Sequence, residues 1–277
     1  MIIRPYNNQS SNQRINTSTH QHINEPTNQR INKSTNKRIN QSTHIMSLYL
    51  IPSPLGESPF DKVFPAFNSQ IINEINFYIV EDVRTERRFL KALGITTPID
   101  DLTFFHLDKH DKSLNVKEFL QPCLEGHHVG LLSDAGVPCV ADPGHLVVAE
   151  AHRMGIQVVP LVGPSSIVLA LMASGLGGQN FAFHGYLPME QPDRERRLKQ
   201  LEAVCLKYHQ TQIFIETPYR NNHLFNSIVS VCAPNLRLCI AANLTCEDEM
   251  ICTKTIAQWR KTTLNLHKQP AIFLLNL

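Results

Sequence analysis

From residue 46 onward the chain alternates short apolar runs with amphipathic ones, and most apolar runs end in a turn rich in glycine, proline or acidic residues. Strands separated by helices read as a parallel α/β sheet, because parallel neighbours need a crossover long enough to hold a helix. Strands are predicted at Leu48–Ile51, Phe77–Glu81, Thr103–Leu107, His128–Ser133 and Gln157–Leu161. Helices are predicted near Asp61–Ile72, Thr85–Ala92, Ser113–Leu124 and Gly144–Met154, the last stopped by Gly155. The second half has α+β order. A helix runs from Pro164 to near Gly175, and others cover Arg194–Lys207 and Asn221–Val231. Strands are predicted at Phe181–Gly185, Gln212–Glu216, Leu236–Ala242, Met250–Thr255 and Ala271–Leu275, with Leu236–Ala242 and Met250–Thr255 close enough to pair as a hairpin. The fold class is therefore α/β, with one domain at 46–163 and a second at 164–277. A cleft between two domains is a preferred ligand site.

Residues 1–45 belong to neither domain. Four eight-residue units, beginning at Asn12, His20, Asn28 and Asn36, each carry Ile-Asn at the fourth and fifth places and Thr at the eighth. They hold almost nothing to bury, so a disordered repeat tail is expected. Near-perfect repetition needs no selection to explain it. A tandem DNA repeat translated upstream of a start at Met46 is the favoured reading, over a transit peptide or a functional basic arm. The tail holds six basic residues and one acidic residue, leaving 20 basic against 23 acidic in the remainder. Any contact of the globular part with nucleic acid must then use a local patch rather than overall charge.

Seven cysteines stand at 123, 139, 205, 232, 239, 246 and 252 with no C-x-x-C pair. This argues for a reducing, cytoplasmic setting over a disulfide framework or a zinc site. The histidines lack metal-ligand spacing, and no metal is expected. No apolar run has the length of a membrane span.

The strongest local signal is Leu132-Ser-Asp-Ala-Gly-Val-Pro-Cys-Val-Ala-Asp-Pro-Gly144. It leaves a strand and enters a helix, the place where open α/β sheets bind ligands. Its glycines permit positive φ, its prolines stiffen the path, and Asp134 and Asp142 can fix loop amides or a polar ligand. Pro52-Ser-Pro-Leu-Gly56 makes a rigid turn after the first strand. Glu81-Asp82-Val-Arg84 carries two carboxylates and a guanidinium off the second, where Asp82 either caps the next helix or holds substrate. Leu161-Val-Gly-Pro-Ser-Ser166 opens a helix with a cap that can also receive a polar group. Glu216-Thr-Pro-Tyr-Arg220 repeats the arrangement of acid, turn and Arg. Arg194, Arg196, Arg197 and Lys199 form the best local basic patch in the globular part.

Taken in order, these motifs, with Ala173-Ser-Gly-Leu176 and Gly185-Tyr-Leu-Pro188, resemble the tetrapyrrole methylase superfamily, or class III S-adenosylmethionine methyltransferases. Within it the chain is most similar to the ribosomal RNA small-subunit methyltransferase I family, from Leu48 to Leu275. The resemblance implies two α/β domains with S-adenosylmethionine in the cleft between them, a homodimer, and 2′-O-methylation of a cytidine ribose in 16S ribosomal RNA. It implies cofactor contacts from Pro54, Ser133, Asp134, Ala135, Gly136, Val137, Asp142, Gly163, Pro164, Ser165, Ser166, Leu244 and Pro270. A ribose hydroxyl gains from a general base, for which Asp82 and Glu216 are the candidates. Arg84, Arg87, Arg194, Arg197 and Arg220 are the candidates for substrate phosphate.

Three departures stand out. The family's Arg-Glu-Leu-Thr-Lys is Ala242-Asn-Leu-Thr-Cys246 here, its Gly-Glu before the last strand is Gln269-Pro270, and its further helical segment has no counterpart before Leu277. The alternatives are a tetrapyrrole C-methyltransferase, disfavoured by Pro52-Ser-Pro-Leu-Gly56 where those relatives carry Gly-x-Gly-x-Gly-Asp, and a protein that binds the cofactor without transferring methyl.

Overall fold

The computed structural model describes residues 46–108 and 115–277, so the reading of the tail at 1–45 and the start of the helix expected from Ser113 lie outside the described residues. Residues 46–277 fall within one compact unit. Its first half is a five-stranded, wholly parallel sheet of β1 (Leu48–Ile51), β2 (Phe77–Val80), β3 (Thr103–His106), β4 (Val129–Leu132) and β5 (Val158–Pro160), in the order β3-β2-β4-β1-β5. All four residues of β4 are buried, as a central strand covered on both faces requires.

The helices between these strands are α1 (Phe60–Val63), α2 (Ala66–Ile72), α3 (Val83–Leu93), α4 (Val116–Phe119), α5 (Gln121–Leu124) and α6 (His145–Arg153). The single helix expected over Asp61–Ile72 is divided. Pro65 has no N–H to donate and pushes Phe64 into extended backbone (φ −125°, ψ 116°), so the helix stops and restarts. The described part of the segment expected as Ser113–Leu124 is likewise two short turns, with Pro122 in the first turn of the second.

The second half holds α7 (Ser166–Ala173), β6 (Phe181–Tyr186), α8 (Gln191–Tyr208), β7 (Thr211–Ile215), α9 (Asn221–Val231), β8 (Arg237–Ala242), β9 (Met250–Thr255), α10 (Ile256–Trp259) and β10 (Ala271–Asn276). Its sheet has the order β6-β7-β10-β8-β9. Only β6 and β7 are parallel, and the expected hairpin of β8 with β9 is present. All six residues of β10 are buried, as is Trp259, whose Nε1 donates to the Leu238 carbonyl at 2.8 Å.

Connectivity fixes where a ligand can sit. The chain leaves β2 toward β3 and leaves β4 toward β5, so the two outgoing connections diverge and open a crevice at the carboxyl ends of β2 and β4. The exits of β1, β4 and β5 are tied together beside it. Ser53 and Gly136 exchange two backbone hydrogen bonds of 2.8 and 3.0 Å. Gly163, just past β5, packs so closely on Pro52 that a Cβ there would lie 2.2 Å from Pro52 Cγ. The turn after β8 joins the same region, where Ser58 Oγ donates to the Thr245 carbonyl at 2.8 Å and Lys62 Nζ donates to it at 2.5 Å.

Because the Pro52 ring is stiff, Gly163→Ala is expected to cost about 1–3 kcal/mol and to lower the thermal midpoint by several degrees. Thermal unfolding followed by circular dichroism checks this, and a midpoint equal to that of the native chain would contradict the close approach.

Candidate active site

The crevice at β2 and β4 is the mouth of a cleft of about 400 Å³, within the usual range for small-molecule sites. One wall is the loop Ser133–Val137 with Val140, Ala141 and Asp142. The other comes from the second half and includes Phe183, Tyr186, Ile215, Glu216, Leu244, Pro270 and Ile272. Leu55, Glu81, Ser165 and Ser166 complete the lining.

The loop is held by its own backbone chemistry. Asp142 Oδ1 accepts from the amides of Cys139 and Gly144, both at 2.8 Å. Cys139 and Ala141, both just before it, adopt positive φ of 68° and 65°, a cost that a non-glycine residue bears only where surrounding bonds enforce it. Gly136 has φ 78°, and a Cβ there would press on Leu55 Cδ2 at 3.0 Å and the Pro164 carbonyl at 3.3 Å. Ser165 caps α7, accepting from the Val168 amide at 3.5 Å.

The cleft thus gathers ten of the thirteen residues expected to hold the cofactor: Ser133 to Val137, Asp142, Ser165, Ser166, Leu244 and Pro270. Pro54, Gly163 and Pro164 do not line it. Gly163 and Pro164 act behind the wall, through the contacts with Pro52 and Gly136.

Of the two candidate bases, Glu216 lines the cleft and Asp82 does not. Glu216 is buried, and its Oε1 accepts from Arg220 Nη2 at 2.6 Å, Arg220 Nε at 3.1 Å and the Thr217 amide at 2.7 Å. Asp82 caps α3, its Oδ1 accepting from the Thr85 amide at 2.6 Å, and that bond holds its carboxyl below the usual range. A carboxylate committed to a cap and lowered in basicity is poorly suited to take a proton. Its neighbour Glu81, given no role of its own in the sequence reading, is the residue that lines the cleft.

None of the five arginines expected at substrate lines the cleft. Arg194 requires correction. It is buried, donates from Nε to Ser227 Oγ at 3.0 Å and from Nη1 to the Met189 carbonyl at 2.6 Å, and so braces α8 rather than facing solvent. Arg197 is engaged with Gln200 Oε1 and the His184 ring. Arg220 is tied to Glu216. Arg84 and Arg87 line a second, open cavity with Arg88 and Lys91, and there Arg87 Nη2 donates to Asp100 Oδ1. These four follow one another at the i, i+3, i+4 and i+7 positions of a single helix face.

The electrostatics of the cleft are one-sided. Four carboxylate side chains line it, those of Glu81, Asp134, Asp142 and Glu216, and among the described residues no lysine, arginine or histidine does. Behind it lies Glu86 on α3, 1% exposed, with Oε2 lacking any hydrogen-bond partner. Burial raises its pKa to about 8, and the carboxylates of Asp134, Asp82 and Glu81 push in the same direction. Sequence reading missed Glu86 because it stands inside a run of basic residues that look solvated.

With this geometry in place, comparison with known proteins gives the family. The profile described as Tetrapyrrole (Corrin/Porphyrin) Methylases matches residues 75–259. The chain belongs to this methyltransferase family. It is 30% identical to the ribosomal RNA small subunit methyltransferase I of Vibrio cholerae, over 74% of this chain and 67% of that one. It is 30% identical to the Escherichia coli protein of the same name, over 82% and 76%, and 34% identical to that of Mesorhizobium japonicum, over 76% and 67%. Among solved structures, the methyltransferase CobJ superposes with a TM-score of 0.56 at 17% identity, over 83% of this chain and 94% of that one. A cobalt precorrin-4 methyltransferase, CbiF, gives 0.55 at 13%, over 84% and 96%. These structures share the fold of two α/β domains. Among the described residues no helix is long and apolar enough to cross a membrane.

Glu86 also yields a stability prediction. Its folded pKa of about 8 lies above the ordinary carboxylate value. The stabilising contribution of its protonated form is therefore complete below about pH 4.5 and is lost as pH rises through 8. Glu86→Gln should match the native chain near pH 5 and exceed it by roughly 2–4 kcal/mol near pH 8. Urea unfolding across this range reads it, and parallel curves for the two proteins would refute the buried acid.

Proposed function

We propose that the chain transfers a methyl group from S-adenosylmethionine to a cytidine ribose 2′-hydroxyl of small-subunit ribosomal RNA. The observation that carries this reading is the cleft itself: an apolar wall of Leu244, Pro270, Ile272 and Phe183 facing an acid-lined loop with no basic side chain. The apolar wall suits a nucleoside base. The acidic side suits a ligand with positive charge at its sulfur and amine, and repels a nucleotide polyphosphate. The curated relatives carry the name of this ribosomal RNA activity.

Ser133 to Val137, Asp142, Ser165, Ser166, Leu244 and Pro270 would hold the cofactor, with Pro54, Gly163 and Pro164 shaping the pocket from behind. When bound, the cofactor supplies the electrophilic methyl. The protein's share is to align donor and acceptor, exclude water and accept a proton. Glu216 is the proposed base, oriented by Arg220, while Asp82 sets the start of α3. The stripe Arg84, Arg87, Arg88 and Lys91 begins at the turn that presents Glu81 to the cleft, and would track the phosphates of a single strand whose ribose enters the mouth. Arg197 would serve only at the periphery.

The domains are taken as 46–163 and 164–277, since the first sheet ends at Pro160 and the second begins at Phe181. A cytoplasmic homodimer completes the reading. It is supported by exposed Val162, Val168 and Met172, the last two on one face of α7. Light scattering should give twice the chain mass, and a monomer mass for Met172→Asp.

The direct test is incubation with methyl-labelled S-adenosylmethionine and small ribosomal subunits lacking the ribose methylation. Label should enter the RNA. Glu216→Gln should reduce kcat by about 10²–10⁴-fold, and Arg87→Ala with Arg88→Ala should raise KM and flatten its salt dependence. Binding of the cofactor without transfer would support a binding protein instead, and transfer to a tetrapyrrole a C-methyltransferase.

A further inference from the structure

Glu86 has no assigned part in the reading above, yet among the described residues it is the buried acid with a carboxyl oxygen lacking a hydrogen-bond partner. It sits on the first turns of α3, directly after the turn that delivers Glu81 to the cleft, and its Oε2 has no partner. The charged groups acting on it come from both adjoining elements: Asp134 from the loop after β4, and Asp82 and Glu81 from the turn into α3. All are carboxylates. Two of them, Asp134 and Glu81, line the cleft. Any positive charge seated against those two would lower the cost of ionising the third acid behind them, whereas a neutral ligand of the same shape would not.

We propose that Glu86 sets the preference of the cleft for the cationic sulfonium of the methyl donor over the neutral thioether left after transfer, by releasing its proton when positive charge enters. The step is a simple dissociation: the O–H bond of the Glu86 carboxyl breaks, the electron pair stays on the carboxylate, and the proton passes to solvent. Once the charge at sulfur is gone, Glu86 regains a proton and the spent cofactor loses the attraction that held the donor. Glu86 touches neither ligand. It acts through the field it adds to Asp134 and Glu81, and so helps the product leave. This inference rests on the cofactor assignment proposed above.

Titration calorimetry tests it in buffers of different ionisation enthalpy. The native chain should release a fraction of a proton on binding S-adenosylmethionine between pH 6 and 8, and less on binding S-adenosylhomocysteine. The selectivity for donor over product should rise with pH, about tenfold for each unit by which binding lowers the Glu86 pKa. The ligands' own amino groups titrate in the same range, so the decisive quantity is the difference between the native chain and Glu86→Gln. That variant should keep its affinity for S-adenosylhomocysteine and lose the pH-dependent part of the selectivity. Equal proton counts and equal pH profiles in the two proteins would overturn the proposal while leaving the cofactor assignment intact. Failure of the native chain to bind S-adenosylmethionine at any pH would overturn both.

Discussion

The site depends on three chain exits converging at closely approached glycines. The paired backbone bonds of Ser53 and Gly136 lock the exit of β1 to that of β4, and Gly163 on Pro52 locks the exit of β5 to that of β1. A Cβ at Gly163 would overlap the Pro52 ring, and Gly136 holds a positive φ of 78° that side chains rarely adopt. Gly136 is further confined by Leu55 and the Pro164 carbonyl, so the loop that lines the cleft and the linker into α7 are set against each other by the same residue. Rigid strand ends of this kind hold polar groups in place more firmly than free loops can, and positioning is most of what methyl transfer asks of a protein.

On this frame the chain assembles an unusual concentration of negative charge. Among the described residues four carboxylates and no basic side chain line the cleft, and a fifth acid, Glu86, is buried near them. Like charges gathered in a partly dry space oppose folding, and Glu86 meets the problem by holding its proton up to about pH 8. Arg220 relieves Glu216 in the same way through a salt bridge. A fold selected for stability alone would have no reason to keep such a cluster. Under the proposed function, its presence follows from a ligand that brings positive charge.

Much of this was legible in the sequence. Periodicity located all ten strands to within about two residues, and the Ser133–Gly144 run marked a loop that lines the cleft, because strand, turn and helix signals are local. What escaped depended on long-range packing. Pro65 divides a helix that amphipathic spacing alone would continue. Glu81 and Asp82 read alike as acids at a strand end, and only the direction in which the chain enters α3 sends one to the cleft and the other to the cap. Arg194 reads as part of a surface patch, but Ser227 on α9 and the Met189 carbonyl claim its guanidinium. Glu86 is hidden by its basic neighbours, since a sequence shows charge but not which face of a helix is covered.

The same contrast between local and long-range signals holds for the segment Ala242–Cys246. Asn243 adopts positive φ of 51°, its amide donates to the Pro270 carbonyl at 3.0 Å, and its side chain donates to Asp248 at 2.7 Å. Cys246 Sγ lies 2.6 Å from where a Cβ on Gly56 would stand. Thr245 between them receives Ser58 and Lys62 from the other half. Asn243, Thr245 and Cys246 thus make a packed turn that fastens the second half to the first, leaving Leu244 as the member of the segment that lines the cleft.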